Sequence, residues 1–192
     1  MKLANLDAMK SLPDQINHAR TLLSPHVLKT PLFKSEPLSQ LTEGNVWLKL
    51  ESEQYTGSFK ARGALNKILS TPDSEQAKGF ITASTGNHAQ GFARALAITE
   101  STGSIYLPQS ADPAKIEALK KYDVTLHFVD GGPLDAELFA KNIAEEKGQI
   151  WVSPYNDLDV IAGQGTLAHE VKIGRAHVRT PVTEKSRMPS SA

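Results

Sequence analysis

Between Gly79 and Tyr155 the sequence alternates short apolar extended runs with helical patterns. The runs "GFITAS" (79–84), "GSIYLP" (103–108), "VTLHFVD" (124–130) and "QIWVSPY" (149–155) are separated by segments of helical character at about 87–99, 113–122 and 133–147. Strands separated by whole helices cannot be joined as hairpins. The alternation therefore predicts right-handed βαβ crossovers into a parallel sheet, with ligands received at the carboxyl ends of its strands. The helix in "DPAKIEALKKYD" carries its own start signal, Asp112 as capping residue before Pro113 in the first turn. The next helix places Leu134, Leu138 and Ile143 on one side, which is expected to face the core.

Upstream of the alternating region, Leu12, Ile16, Ala19, Leu22 and Leu23 stand at helical spacing, and Ser24-Pro25 ends that helix. "TPLFKSEPLSQL" (30–41) reads as extended. "NVWLKLE" (45–51) alternates apolar and polar residues as a strand does, and a further helix is expected from Ser58 to about Leu69. There is no internal repeat and no low-complexity linker.

Charge narrows the class of partner. The 192 residues hold 21 basic and 21 acidic side chains with no long block of one sign, which gives neither a footprint for nucleic acid nor a polybasic membrane anchor. Small neutral or zwitterionic molecules fit better. No cysteine is present, which excludes disulfides and thiolate metal sites and suits a reducing cytosol. The start "MKLANLDAMKSLPDQ" lacks the apolar centre of a signal peptide, and no apolar run approaches the roughly 18 residues of a membrane helix, so a cytoplasmic location is expected.

Beyond Lys172 the sequence "IGRAHVRTPVTEKSRMPSSA" loses apolar periodicity. Back-translated, "KIGRAHV" and "SRMPSSA" match the two ends of a common DNA-sequencing adapter, with the variable index near Thr183 to Lys185. Arg179 requires one departure from the adapter's expected stop. The match predicts a coding sequence truncated near Lys172 and a non-native tail over 173–192.

Two stretches carry chemistry. In "EQYTGSFKARGAL" (53–65), Lys60 follows an aromatic residue and stands among small ones. A lysine at a helix start is ordinarily a solvated surface charge, and the crowding of small residues sets this one apart. At the carboxyl end of "GFITAS" lies "STGNHAQG" (84–91), where helix-start amides, two hydroxyls and the Asn87 amide make a ready receptor for a carboxylate or phosphate. The same residues serve equally as a helix cap, with Ser84 or Thr85 as the capping residue. His88 has no second histidine at ligand spacing and no HExxH pattern around it, so no metal site is expected and the ring is read as structural within the loop. "DGGP" (130–133) reads as a strand-to-helix turn.

Together, "VWLKLESEQYTGSFKARGALNKI", "ITASTGNHAQGFA", "TPLFKSEPLSQL" and "VIAGQGTLAHEVK" (160–172) resemble the serine/threonine dehydratase branch of fold-type II pyridoxal-phosphate enzymes, and the likeness covers nearly all of residues 12–172. It implies an α/β, three-layer, parallel-sheet fold like that of the tryptophan synthase beta subunit. It also implies pyridoxal 5'-phosphate as cofactor, held by Lys60 as a Schiff base, for which partial burial of the amine is useful. Phe59 would lie beside the cofactor, with Gly57 and Ser58 keeping the approach open so that the small residues leave room for a flat ring. Asn87 would bond the cofactor's 3-hydroxyl. Ser84, Thr85, Gly86, Asn87 and His88 would line the loop that receives the substrate carboxylate.

The resemblance further implies an ammonia-lyase converting L-threonine to 2-oxobutanoate, or L-serine to pyruvate, with release of ammonia. The setting is amino-acid metabolism such as isoleucine biosynthesis, and the full-length enzyme would be a homo-oligomer. Residues 1–72 would begin the large domain, 73–155 would form a complete small domain, and 156–172 would re-enter a truncated large domain. The glycine-rich phosphate loop and the serine or cysteine that meets the pyridine nitrogen, both expected later than residue 172, are not in the sequence, so the 192 residues are expected to be inactive. Serine racemases tend to have two serines where this chain has Ser84-Thr85, and an asparagine where it has Tyr155, a position that is aromatic in threonine dehydratases. Serine racemase and hydroxyaspartate ammonia-lyase remain alternatives within the family, and a non-catalytic anion-binding α/β domain is the alternative outside it. His169 stands where an aliphatic residue is more usual and receives no role.

Overall fold

The computed structural model describes residues 11–178, with side chains described as far as Lys172. The tail expected over 173–192 therefore lies outside the described residues, apart from the helical backbone that continues to Val178.

The chain opens with α1 (Leu12–Leu23), then β1 (Leu32–Lys34), α2 (Glu36–Leu41) and β2 (Trp47–Lys49). The first two strands form a small antiparallel pair. The stretch expected to be extended over 30–41 is thus strand only in its first half. The second half turns helical because Ser35 caps it, accepting from the Leu38 amide, and Pro37 fits the first helical turn, where no amide is needed.

A single 3₁₀ turn (Glu51–Glu53) leads to α3 (Lys60–Ser70) and the short α4 (Asp73–Gln76). The alternating region follows as β3 (Phe80–Ala83), α5 (Asn87–Thr99), β4 (Gly103–Pro108), α6 (Pro113–Leu119), β5 (Thr125–Val129), α7 (Pro133–Lys147) and β6 (Ile150–Trp151). Its four strands pair in the order β5-β4-β3-β6, all parallel, as the crossovers require. Asp112 caps α6 as expected, its Oδ1 accepting from the Ala114 amide at 2.8 Å. Finally α8 (Leu158–Val178) returns against α1 and α3.

Alternate strand residues build two cores. Phe80, Ile105, Leu107 and Val152 face α5, α6 and α3, while Ile81, Ala83 and Tyr106 face α7. The result is three layers, helices on both sides of the sheet. The side of α7 that meets the sheet is not the one expected. Ala136, Ala140 and Ala144 are buried, whereas Leu134 and Leu138 are 66% and 54% exposed. Only Ile143 of the expected set packs, in part, on the core. Alanines let the helix axis approach the sheet more closely than leucines would, and the larger residues are turned outward.

The start of α3 is fixed by ions rather than oil. Arg62, with 0% of its side chain exposed, donates through Nε and Nη2 to the two carboxylate oxygens of Glu51 at 2.8 Å each, and through Nη1 to Glu170 at 2.7 Å. Lys49 closes the set by donating to Glu170 and to the Thr30 carbonyl. Burial alone would raise the Glu51 carboxyl, but the bonds from Arg62 and Thr30 and the charges of Arg62 and Lys49 hold it below the usual carboxylate range. One guanidinium thereby ties the turn after β2, the first turn of α3 and the body of α8 together.

Candidate active site

Lys60 is the first residue of α3, and its amine reaches over to the loop that follows β6, donating to the Pro154 carbonyl at 2.6 Å. The Phe59 ring centroid lies 5.5 Å from that nitrogen. Burial holds the Lys60 pKa below the ordinary lysine value, and among the described residues no carboxylate is paired with it. Desolvation of an amine beside a neutral acceptor is the kind of setting that favours a nucleophilic lysine.

The small residues around Lys60 have separate reasons. Gly57 sits at φ 68°, a left-handed turn in which its amide donates to the Gln54 carbonyl. Gly63 faces α8, where a Cβ would lie 2.8 Å from the Val160 carbonyl oxygen. Ser58 is buried, and its Oγ accepts from the Lys60 amide at 3.1 Å. These residues also shape the turn and the helix contact. Open space is found at Gly86, where an added Cβ would meet nothing within 4 Å.

Gly86 belongs to the loop between β3 and α5, and it is also the capping position of α5. Neither Ser84 nor Thr85 caps the helix with its side chain; Ser84 Oγ instead accepts from the Gly86 amide at 3.3 Å. The first amides of α5 thus keep no side-chain partner, and Asn87 begins the helix exposed. Because β3 and β6 are parallel neighbours, their carboxyl ends bring this loop and the Pro154 loop to the same edge. Helix α5 lies close over α3, a Cβ on Gly91 coming 3.0 Å from the Lys60 carbonyl oxygen. Lys60, Phe59, the loop 84–88 and the loop 153–155 accordingly gather at one end of the sheet.

His88 lies beneath this edge, 3% exposed. Thr82 Oγ1 donates to the Val152 carbonyl at 2.7 Å and so accepts from His88 Nε2 at 3.1 Å, which leaves Nδ1 unprotonated and, among the described residues, without a partner. Burial, with the Lys60 charge adding to it, lowers the His88 pKa from 6.5 to about 4. The unfolded chain takes up this proton as pH falls below 6.5, the folded chain only near 4, so stability is lost on acidification across that window. The expected slope is up to about 1.4 kcal/mol per pH unit. Urea unfolding near neutrality and at about pH 5, for the parent and for His88→Asn, checks it: the parent midpoint should fall further than the variant's, and equal falls would contradict the buried neutral ring.

Tyr155 is 58% exposed, and its hydroxyl donates to Glu137 of α7, a bond that together with burial and the negative charge raises its pKa. His169 has a structural partner: Nε2 accepts from Arg20 Nη1 at 2.6 Å, tying α8 to α1. That pair lines a cavity of about 220 Å³ with Leu23, Val27 and Lys29, among residues distinct from those around Lys60. No group of His, Cys, Asp and Glu among the described residues is arranged to hold a metal ion, and no described helix is long and apolar enough to cross a membrane.

The family described as pyridoxal-phosphate dependent enzyme matches residues 23–183, most of the chain. The chain belongs to this family. A catabolic L-threonine dehydratase of Staphylococcus aureus (strain USA300) is 43% identical over 157 residues, covering 81% of this chain and 45% of that protein. The structure of maize serine racemase superposes with a TM-score of 0.80 at 31% identity, covering 86% of this chain and 50% of that one. The processed form of threonine deaminase isoform 2 from Solanum lycopersicum gives 0.79 at 30% identity, with 86% and 46% covered. The chain therefore spans about half the length of the relatives it matches. As a pyridoxal-phosphate dependent enzyme it takes pyridoxal 5'-phosphate as its cofactor. The residues present fit that group: a desolvated amine at Lys60, an unobstructed Gly86 in the loop at the same end of the sheet, and helix-start amides free of side-chain caps.

Several contributors had no signature in the sequence. The Pro154 carbonyl is backbone; only the rule that ligands meet strand ends pointed to its neighbourhood. Glu137 and Thr82 carried no motif of their own.

Proposed function

We propose that this chain carries the amine-bearing half of a threonine/serine ammonia-lyase site. The single observation that supports the reading most strongly is the Lys60 amine, desolvated and held by the Pro154 carbonyl rather than by a carboxylate. Lys60 would hold the cofactor covalently, Phe59 would flank it, and Asn87 would bond its hydroxyl. Bound there, pyridoxal phosphate supplies an aldehyde for amines and a ring that draws electrons away from the substrate Cα.

The chain's own residues do the rest. The uncapped amides at the start of α5, with Ser84, Thr85, Gly86 and His88 around them, would receive the substrate carboxylate. Lys60 Nζ, as free amine, would accept the Cα proton, and the desolvation that lowers its pKa favours that form. The β-hydroxyl would leave as water once a proton reaches its oxygen, and the resulting enamine, through its imine tautomer, would take up water to give a 2-oxo acid and ammonia. Tyr155, steered by Glu137, would close the side of the site toward α7. Residues 73–155 would act as the small domain and 1–72 with 156–172 as part of the large one.

The likeness to maize serine racemase supports a second reading, racemisation of serine. Against it, Thr85 adds a methyl group where racemases tend to have serine, and Tyr155 is aromatic. A chain of the relatives' full length that carries residues 12–172 unchanged should form 2-oxobutanoate from L-threonine. Formation of D-serine from L-serine, without 2-oxobutanoate from threonine, would favour the racemase. The 192 residues alone, which hold no glycine-rich phosphate loop, are expected to give no detectable 2-oxobutanoate, and measurable turnover by them would refute that expectation.

A further inference from the structure

The amine of Lys60 is held by a carbonyl on a loop, and a loop holds a carbonyl steady only if something holds the loop. Two buried hydroxyls do so here. Ser153 is 4% exposed, and its Oγ accepts from the Tyr155 and Asn156 amides at 3.4 and 2.9 Å, which folds the chain tightly about Pro154. One residue earlier, the Val152 carbonyl accepts from Thr82 Oγ1 at 2.7 Å, and Thr82 is 0% exposed. The Thr82 hydroxyl in turn accepts from the His88 ring, whose own position is set by the first turn of α5. A continuous line therefore runs from α5 through β3 to the end of β6 and on to the Lys60 amine. It passes entirely beneath the open edge of the site.

We propose that Thr82 is a positioning residue for Lys60: its hydroxyl, backed by the His88 ring, fixes the end of β6 so that the Pro154 carbonyl meets the Lys60 nitrogen. A threonine on a fully buried strand position is ordinarily replaceable by valine, which has the same shape and a better strand propensity. Here the exchange would leave the Val152 carbonyl short of one donor and His88 Nε2 without an acceptor, both in the interior. The loop would then rest on Ser153 alone. The half-buried Lys60 amine would gain further hydration, and its titration would rise toward that of an ordinary lysine.

The inference deepens the reading of Lys60 as the cofactor-bearing amine, and its test is set on the free amine so that the two can fail separately. The purified chain, without cofactor, is labelled with trace acetic anhydride across a pH series, and the reactivity of each lysine is read by peptide mass spectrometry. In Thr82→Val, Lys60 should label more slowly near neutrality, about tenfold for each unit its titration rises, while Lys34 and Lys78 keep their profiles. Thr82→Ser, which keeps the hydroxyl, should restore the parent profile of Lys60. A folded Thr82→Val with the Lys60 profile unchanged would overturn the inference, and would mean that Thr82 serves stability alone. Should Thr82→Val not fold, Thr82→Ser and Ser153→Ala decide: the first must match the parent and the second must shift Lys60 in the direction given, and a shift in the first or none in the second overturns it. Loss of cofactor attachment to a correctly titrating Lys60 would instead count against the anchor reading and leave the positioning role intact.

Discussion

Lys60→Ala should abolish covalent attachment of pyridoxal phosphate. The parent mixed with the cofactor is expected to develop a visible absorbance band that gel filtration does not remove, and the variant to develop none. The expectation is all-or-none because two other largely buried lysines, Lys49 and Lys67, are already committed. Lys49 is paired with Glu170 and donates to the Thr30 carbonyl. Lys67 lies between Asp157 and Asp159, whose bonds and charges outweigh burial and raise its pKa, so its neutral form is rarer than in a free lysine. Lys60 is the reverse case, desolvated with a neutral carbonyl opposite. A band of equal strength in Lys60→Ala would move the attachment elsewhere and remove the basis for the proposed lyase.

Arg62→Met is expected to be the most damaging change to stability. It fills a similar volume but strands two carboxylates, Glu51 at 8% exposure and Glu170 beside it, without their main partner. Breaking a buried ionic set from one side costs about 3–5 kcal/mol, which for a chain of this length is a fall in Tm of about 6–20 °C. The cost is the stranded charge rather than the lost attraction, so a partner change should recover much of it. Arg62→Met combined with Glu51→Gln and Glu170→Gln is expected to be more stable than Arg62→Met alone. Thermal unfolding followed by circular dichroism tests both; a single variant within about 1 kcal/mol of the parent would show that the network contributes little. Because Arg62 lies two residues after Lys60, the same variant should also loosen cofactor attachment in whatever fraction stays folded.

The layout of the fold was legible because it rests on period. Strand and helix alternate from 79 to 155 in a pattern that only crossovers satisfy, and the elements follow in that order, with the Asp112 cap and the end of α1 at Leu23 as expected, though the strand expected over 149–155 is regular only at Ile150–Trp151. What was not legible rests on distance between elements. Leu134 and Leu138 outrank alanine in hydrophobicity, yet Ala136, Ala140 and Ala144 face the sheet, where small side chains let the helix lie close. Arg62 reads as one more solvated charge, and becomes fully buried only through Glu51 and through Glu170, which lies 108 residues further on.

The candidate site divides along the same line. Ser84 to His88 could be placed at a strand's carboxyl end from the sequence, and Lys60 could be singled out by its neighbours. The reason for those neighbours could not be read. Gly57 answers to a left-handed turn and Gly63 to a helix crossing. The acceptor that holds the amine is a peptide oxygen, which any residue at 154 would provide and no motif records.

The central claim is that the Lys60 nitrogen is where this chain bonds to its cofactor. Borohydride reduction of the protein saturated with pyridoxal phosphate, followed by peptide mass mapping, tests it most directly. The pyridoxyl mass should appear on the peptide containing Lys60 and be absent from those containing Lys49 and Lys67. A pyridoxyl group spread over surface lysines, with the Lys60 peptide unmodified, would contradict it.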